Sequence, residues 1–588
     1  MRTHTCGELR SSHDGTAVTL TGWVHRRRDH GGLIFIDLRD RYGITQVVIH
    51  PENTETFSQA ARVRSEWVLK IEGTVRRRQA GAEREDNPTG KVEVEALEIS
   101  ILNESQTPPF EIDVDKEINE EARLAYRYLD LRRERMKGNI LLRHKMLQFI
   151  RTYFYERDFI EIETPILIKG TPEGSREYLV PSRLHHGQFY VLPQSPQQLK
   201  QLSMVAGFDR YMQIARCFRD EDQRGDRQPE FTQVDVEMSF VTAEDVMGFT
   251  EEAIIQMTKE LKPEMKIMQT PFPRLTFQEA MDRYGSDKPD IRYALEFTDV
   301  SQLTKGSGFG IFAGAVDRGG VVKALKVEGG ASFSRKEIDE LTEVAKIYKA
   351  KGLAWIKKNA GAFEGVPVEK LGAEVTSAIA EAALMQDGDI LLFTADEWAT
   401  ACTSLGAVRA EVAKRKNLTD PKVFAYAWVT DFPMFEKDEE TGGVAAVHHP
   451  FTRPTEESVA LLDTDPLKAK AVAYDIVLNG FEVGGGSVRI HEPDLQSKIF
   501  DILKVTGDDA ERRFGHLLRA FRFGAPPHGG IAWGFDRLVM LFAGEPNIRE
   551  VIAYPKDQKA KDLMLGAPSE MPKKQIEELG IKVVERKE

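Results

Sequence analysis

The chain has 588 residues, more than one hydrophobic core accommodates, so several domains are expected. A hydrophobic fraction of 41% and a charged fraction of 29% are ordinary for a globular protein, and no apolar run nears the ~20 residues of a membrane span. Three scattered cysteines, Cys6, Cys217 and Cys402, offer neither a disulfide framework nor a zinc spacing. The opening MRTHTCGELRSSHDG lacks the apolar stretch of a secretion signal, so a cytoplasmic location and no membrane partner are expected. Net charge is −13, yet basic residues cluster at Arg26-Arg27-Arg28 and Arg76-Arg77-Arg78, which leaves a nucleic-acid partner open.

Residues 1–106 show short alternating runs separated by turn signals, the pattern of a small β-barrel. Val18–Val24, Leu33–Leu38, Ile44–Ile49 and Val68–Ile71 read as strands. Within the second run Ile34, Ile36 and Leu38 share one face, so Phe35 points the other way, with Asp37 and Arg39. An aromatic on a polar strand face is a stacking platform for an unpaired base, and Gln46 on the next run offers a donor and an acceptor to a base edge. Together these describe an OB-fold that binds single-stranded nucleic acid.

A linker rich in Pro and acidic residues (107–118) begins the hinge (107–133) that leads to the body. Gly138–Glu156 has helical periodicity, and Phe159–Leu167 reads as a strand stopped by Pro165. Glu173 in TPEGSREYLVPS falls on a loop, where a carboxylate can close over a ligand. LPQSPQQLK is a turn entering a helix and gathers Ser195, Gln197 and Lys200. The segment CFRDEDQRGDRQPEFTQVDVE packs charges of both signs around a hairpin, which suits a ligand carrying both. In AYDIVLNGFEVGGGSVRIH, Asp475 and Glu482 are expected to meet across a bend and hold Mg²⁺. Gly484-Gly485-Gly486 permits close backbone approach, and Arg489 can grip a carboxylate bidentately. His448 and His449 have no zinc-like surroundings and read as substrate-site polarity. In GAPPHGGIAWGFDRLVMLF, Arg537 opens a helix behind Gly529, Gly530 and Gly534.

These last segments resemble motifs 2 and 3 of the class II aminoacyl-tRNA synthetases, and Phe159–Leu167 resembles motif 1. No Walker, Rossmann or class I signature competes. TGWVHRRRDHGGLIFIDLRD is similar to the anticodon-binding domain of the aspartate, asparagine and lysine enzymes. A long stretch between motifs 2 and 3 (287–420) is the mark of the bacterial-type aspartyl enzymes. The resemblance implies a multidomain α+β fold: an OB barrel (1–106), a hinge (107–133), an antiparallel-sheet catalytic domain in two parts (134–286 and 421–588, with a C-terminal extension), and an inserted α+β domain (287–420).

It further implies an activity, the transfer of L-aspartate to tRNA by way of ATP and an aspartyl-adenylate. Catalysis falls to Arg219, Arg537 and Glu482. Aspartate is held by Glu173, Ser195, Gln197, Lys200, Arg219, Asp235, His448 and Arg489. ATP is held by Arg219, Asp220, Glu221, Gln228, Glu482, Gly534, Phe535, Asp536 and Arg537. Mg²⁺ is held by Asp475 and Glu482, and the anticodon by Arg26, Arg28, Phe35 and Gln46. Lys200 and Arg489 would form a two-cation cage for the substrate side chain, with asparagine rejected because it brings no countercharge. On this reading Lys200→Met abolishes aspartate activation and leaves the fold intact. A homodimer is implied as well.

Two barrel positions, His30 and Gly81, match the members that charge both tRNA-Asp and tRNA-Asn. Strict members tend to carry Leu and Lys there. Relaxed choice makes a tRNA-dependent amidotransferase the downstream partner. The alternatives are a strict enzyme for tRNA-Asp, a catalytically dead RNA-binding paralogue and a tRNA-independent asparagine synthetase. Keeping Arg219, Glu221, Glu482 and Arg537 together argues against the dead paralogue.

Overall fold

The computed structural model describes residues 1–112, 116–170, 175–438, 442–505 and 507–584. The chain forms two compact units, one of residues 1–137 with 562–566 and one of residues 138–561 with 567–588.

In the first unit β1 (Ala17–His30), β2 (Leu33–Arg39), β3 (Ile44–Ile49), β4 (Val68–Arg77) and β5 (Val92–Asn103) close a barrel in the order β1-β2-β3-β5-β4. Alternation does the sorting: Val18, Leu20 and Val24 are buried while Thr19, Thr21 and Trp23 lie outward. The inward residues make one cluster with Ile36, Leu38, Val47, Leu69, Ile71 and Val94. Two strands run longer than their apolar patterns suggest. Beyond a bulge at Val24/Arg26, the charged arm Arg26–His30 pairs with Leu33–Asp37, and Gly31 and Gly32, both at positive φ, turn the hairpin. Charged hairpin arms carry no apolar alternation, so sequence pattern stops short of them.

The second unit is built on an eight-stranded sheet. Its strands in chain order are β6 (Ile160–Glu161), β7 (Arg210–Phe218), β8 (Glu230–Ser239), β9 (Arg274–Thr276), β15 (Tyr426–Thr430), β16 (Ala473–Leu478), β17 (Phe481–Val488) and β18 (His528–Gly534), the numbers 10–14 belonging to the inserted sheet below. The spatial order is β9-β15-β16-β17-β18-β8-β7-β6. All neighbours are antiparallel except the two outermost pairs, β9 with β15 and β6 with β7. Residues of the helices Glu134–Tyr155 and Ala243–Leu261 join a core containing Trp428, Tyr474, Trp533 and Phe535. The expected strand Phe159–Leu167 shrinks to Ile160–Glu161. Past Ile162, whose N–H still reaches the Met212 carbonyl at 3.1 Å, Pro165 supplies no donor, and Ile166 and Leu167 are exposed.

Within 287–420 a smaller sheet forms from β10 (Phe297–Asp299), β11 (Val321–Val327), β12 (Ala354–Asn359), β13 (Ala362–Glu364) and β14 (Ile390–Asp396), in the order β10-β11-β14-β12-β13. Two apolar clusters cover it, one around Phe312, Ile379 and Phe393 and one around Leu341, Leu392 and Leu405. No helix among the described residues is long and apolar enough to cross a membrane.

Candidate active site

A cavity of about 530 Å³ opens over the centre of the large sheet. Its deep end is a buried charge network. Lys200, on the helix Gln197–Val205, reaches Asp235 Oδ1 at 3.0 Å and Glu237 Oε2 at 3.4 Å. Arg489 grips Glu237 through Nε at 2.9 Å and Nη2 at 3.2 Å. All four side chains are at most 2% exposed. Burial would raise the Glu237 carboxyl, but Arg489 and Lys200 outweigh it and hold it below the usual range. At Asp235 burial wins over Lys200 and the carboxyl is pushed up; its Oδ2 has no hydrogen-bond partner.

Local sequence explains the network. Asp235 and Glu237 stand two apart on β8 and share a face, so the two-residue period that places the expected Asp235 also places Glu237, which was not expected. On β18, Gly530 is obligatory: a Cβ there would lie 2.1 Å from Glu237 Oε2. His449 completes the shell, its Nε2 taking Arg489 Nη1 at 2.8 Å. Burial, then Arg489, drives His449 well below its ordinary pKa, so the ring is neutral, and its Nδ1 lies 3.3 Å from both Thr452 Oγ1 and the Phe451 backbone nitrogen.

These contacts revise the expected cage. Lys200 and Arg489 already have protein countercharges in Asp235 and Glu237, so charge alone does not reject asparagine. Among the described residues, one N–H is left on Lys200 and one on Arg489. Two donors match two carboxylate oxygens, whereas an amide would turn its own NH₂ against one of them.

The outer end carries the hairpin β7–β8. Arg219 stacks over Phe231 with 5.1 Å to the ring centroid, and its Nε is buried without a hydrogen-bond partner. It makes no ion pair among the described residues. Glu221 is hydrogen-bonded by Ser175 and lies 3.4 Å from Arg227. Arg537 pairs with Asp226 at 3.2 Å and approaches Glu482 at 3.7 Å.

All but three of the residues expected to bind aspartate, ATP or metal line this cavity. Glu173 lies outside the described residues. Asp220 is exposed and away from the wall: after Arg219 turns inward, its neighbour in extended chain turns out. Phe535 is wholly buried; on the first turn of the helix Phe535–Ala543 it faces the core with Leu538 and Val539. Two others touch the wall with their polar groups committed. Asp536 accepts Thr232 N–H at 2.7 Å and pairs with Arg143, and Gln228 holds the Lys556 backbone through both amide atoms, at 2.7 and 3.1 Å.

Asp475 and Glu482 face each other across β16 and β17. Burial, with Glu482 beside it, raises the Asp475 carboxyl to about 6, and His448 stands 3.7 Å away. Burial lowers His448 but Asp475 overrides it, leaving the imidazole above its usual value. Among the described residues no cluster of three or more His, Cys, Asp or Glu is placed to hold a metal alone. A two-carboxylate site fits Mg²⁺ that takes its other ligands from phosphates and water.

The raised pKa has a stability consequence. Asp475 titrates near 6 when folded and near 3.8 unfolded, so it favours the fold below pH 4 and opposes it above 6. Asp475→Asn is therefore expected to raise the unfolding free energy at pH 7.5 by about 3 kcal/mol, a gain that disappears toward pH 4. Denaturant unfolding at the two pH values checks this; equal effects at both would refute it.

In the barrel, Arg28 donates to Asp37 at 3.0 Å and to Gln46 Oε1 at 3.1 Å, and lies 6.0 Å from the Phe35 ring. Gln46 also donates to Glu93 Oε2 at 2.7 Å, so both ends of its amide are committed to barrel partners. Glu93, on β5, was not foreseen because no apolar pattern singled it out. Arg26 and His30 are exposed along β1, and Gly81 sits in an exposed turn at φ +88.

Residues 119–558 match the family model of the tRNA synthetases class II (D, K and N), and residues 18–102 that of the OB-fold nucleic acid binding domain. The chain belongs to this class II synthetase family. Among its relatives, the aspartate–tRNA(Asp/Asn) ligase of Rubrobacter xylanophilus is 54% identical over 99% of this chain and 96% of its own length. The ligase of the same name from Moorella thermoacetica is 52% identical over 100% and 97%. A protein from Geobacillus kaustophilus named aspartate–tRNA ligase is 52% identical over 99% of each. The fold is shared with asparaginyl-tRNA synthetase from Pyrococcus horikoshii, solved with asparaginyl-adenylate: TM-score 0.60, 19% identity, 94% of this chain and 97% of that one.

Proposed function

We propose that the protein is an aspartate–tRNA ligase that activates L-aspartate with ATP and charges both tRNA-Asp and tRNA-Asn. One observation carries the site reading: Arg219 faces the cavity with a buried, unpartnered Nε and no countercharge among the described residues. A half-buried guanidinium that faces the cavity with no countercharge fits an anion. The α-phosphate of ATP supplies it, next to the end of the cavity where Lys200 and Arg489 each keep a donor for the aspartate side chain.

Little proton chemistry is needed. The substrate α-carboxylate is already the nucleophile, and it attacks the α-phosphorus in line with the departing pyrophosphate. Arg219 offsets charge growing on the α-phosphate oxygens, and Arg537 holds the leaving phosphates. Asp475 and Glu482 would hold Mg²⁺, which shields phosphate charge when bound. The terminal ribose of tRNA then attacks the mixed anhydride, and AMP leaves. Asp235, with Oδ2 open, takes the substrate ammonium.

The relaxed tRNA choice rests on the Asp/Asn naming of two close relatives and on His30 and Gly81 in the barrel. Cytoplasmic location, a homodimer and an amidotransferase that converts Asp-tRNA-Asn complete this reading. The test is aspartate charging of matched tRNA-Asp and tRNA-Asn transcripts from the source organism. Efficiencies within about tenfold, or 1.4 kcal/mol, are expected. Charging of tRNA-Asp alone would leave a strict enzyme. His30→Leu combined with Gly81→Lys should weaken tRNA-Asn charging and spare ATP–pyrophosphate exchange.

A further inference from the structure

Residues 285–296 lead from α1 (Phe277–Tyr284) into the inserted sheet, and they are held unusually firmly. Gly285 ends α1 in the left-handed region; a Cβ there would fall 2.2 Å from the Cys402 carbonyl oxygen. Opposite, on α2 (Trp398–Arg415), a Cβ on Gly406 would fall 2.4 Å from the Gly285 carbonyl oxygen. The two backbones touch, with no room for a side chain on either. Arg409, buried on the same helix, donates to the carbonyls of Leu295, Asp290 and Tyr293 at 2.6, 2.9 and 3.0 Å. Its guanidinium lies 4.1 Å from the Tyr293 ring and 4.9 Å from Tyr284. Asp282 accepts from Lys323 and from Trp398 Nε1, each at 2.8 Å. On the other side, Asp290 abuts Gly480 in the turn between β16 and β17. The segment is thus clamped between the inserted domain and the hairpin that carries Asp475 and Glu482.

Asp287 stands in this clamped segment and lines the active-site cavity. Its carboxylate has no hydrogen bond or ion pair among the described residues. It faces a wall that includes Asp475, Glu482 and His448, so its charge is opposed there rather than neutralised by the two carboxylates. The same cavity receives the unpartnered Oδ2 of Asp235, which is 0% exposed. Asp287 is itself exposed to the cavity while the backbone on either side of it is held, and a carboxylate so placed and given no partner fits a ligand cation.

We propose that Asp287 binds a cationic group of the reaction complex, and that the inserted domain is the scaffold that holds it in the active site. The inference rests on the aspartate-activation reading above. Two groups share the required chemistry: the α-ammonium of aspartate and hydrated Mg²⁺ accompanying ATP.

The full chain carrying Asp287→Asn tests it, with ATP–pyrophosphate exchange measured while aspartate and Mg²⁺ are varied separately. Water-proton relaxation with Mn²⁺ and ATP supplies a binding readout apart from turnover. The half-saturating concentration of one ligand is expected to rise about tenfold or more with kcat changed by less than about threefold. A rise for aspartate alone assigns the ammonium; a rise for Mg²⁺, with weaker Mn²⁺ binding, assigns the metal. Asp287→Glu should recover part of the loss. Trp398→Phe removes one clamp bond without touching ligand and should shift the same ligand in the same direction, more weakly, with tRNA affinity unchanged. Wild-type values for both ligands in folded Asp287→Asn overturn the proposal. Absence of aspartate-dependent exchange in the unaltered protein would instead defeat the activation reading on which it stands.

Discussion

Lys200→Met should cut aspartate-dependent ATP–pyrophosphate exchange by at least about a thousandfold, some 4 kcal/mol, and it should also weaken the fold. The second half departs from what the sequence implies. Lys200 is not only a ligand for substrate; it is a counterion 3.0 Å from Asp235 and 3.4 Å from Glu237, both wholly buried. Methionine fills much of the volume but leaves two carboxylates facing one remaining cation, Arg489. Breaking a buried pair of this kind costs about 3–5 kcal/mol. Denaturant unfolding and exchange on the same preparation measure both effects. Adding Asp235→Asn separates them: it removes the carboxylate that lost its cation and leaves the Arg489–Glu237 pair intact, so stability should partly return while activity stays lost. Exchange above a tenth of the wild-type rate in folded Lys200→Met would sink the assignment of Lys200 to the substrate. Unchanged stability would mean that the network is solvated and not the closed ion cluster described here.

That departure shows what sequence can and cannot say about this site. The residues were largely visible, because charges such as Arg219, Glu482 and Arg537 stand in segments whose composition has no ordinary structural use. The barrel was visible for a different reason, since Val18, Leu20 and Val24 alternate with polar neighbours and only one register buries them. Pairings were not visible. Nothing local says that Arg489 meets Glu237, 252 residues away, because the contact exists only after β17 and β18 bring β8 alongside. Phe535 and Asp220 lie off the cavity wall for the opposite reason: each adjoins a cavity residue in sequence, and local geometry then turns it elsewhere. Asp287 carried no signal at all, being one acid among many until its neighbours were seen to be clamped.

Arg219→Ala should give the reverse signature of Lys200→Met. Arg219 has no countercharge among the described residues, and its buried Nε carries a desolvation cost that no protein partner offsets. Truncation removes that penalty together with the stacking on Phe231, and the two offset each other; stability is expected to change by less than about 1 kcal/mol. Exchange, by contrast, should fall by about 10²–10³-fold, the loss seen when a positioned donor to developing charge is removed. Arg219→Lys should recover little, because an ammonium keeps the charge but neither lies flat on Phe231 nor offers two parallel donors to a phosphate. Exchange kinetics and unfolding of both variants test this together. If Arg219→Ala is strongly destabilised, the guanidinium has a structural partner and does not serve as an anion site. If it is stable and still exchanges within tenfold of wild type, the anion lies elsewhere and the phosphate site must be redrawn. Stability held with activity lost is the outcome that an anion-binding arginine requires, since it is the ligand, not the protein, that satisfies it.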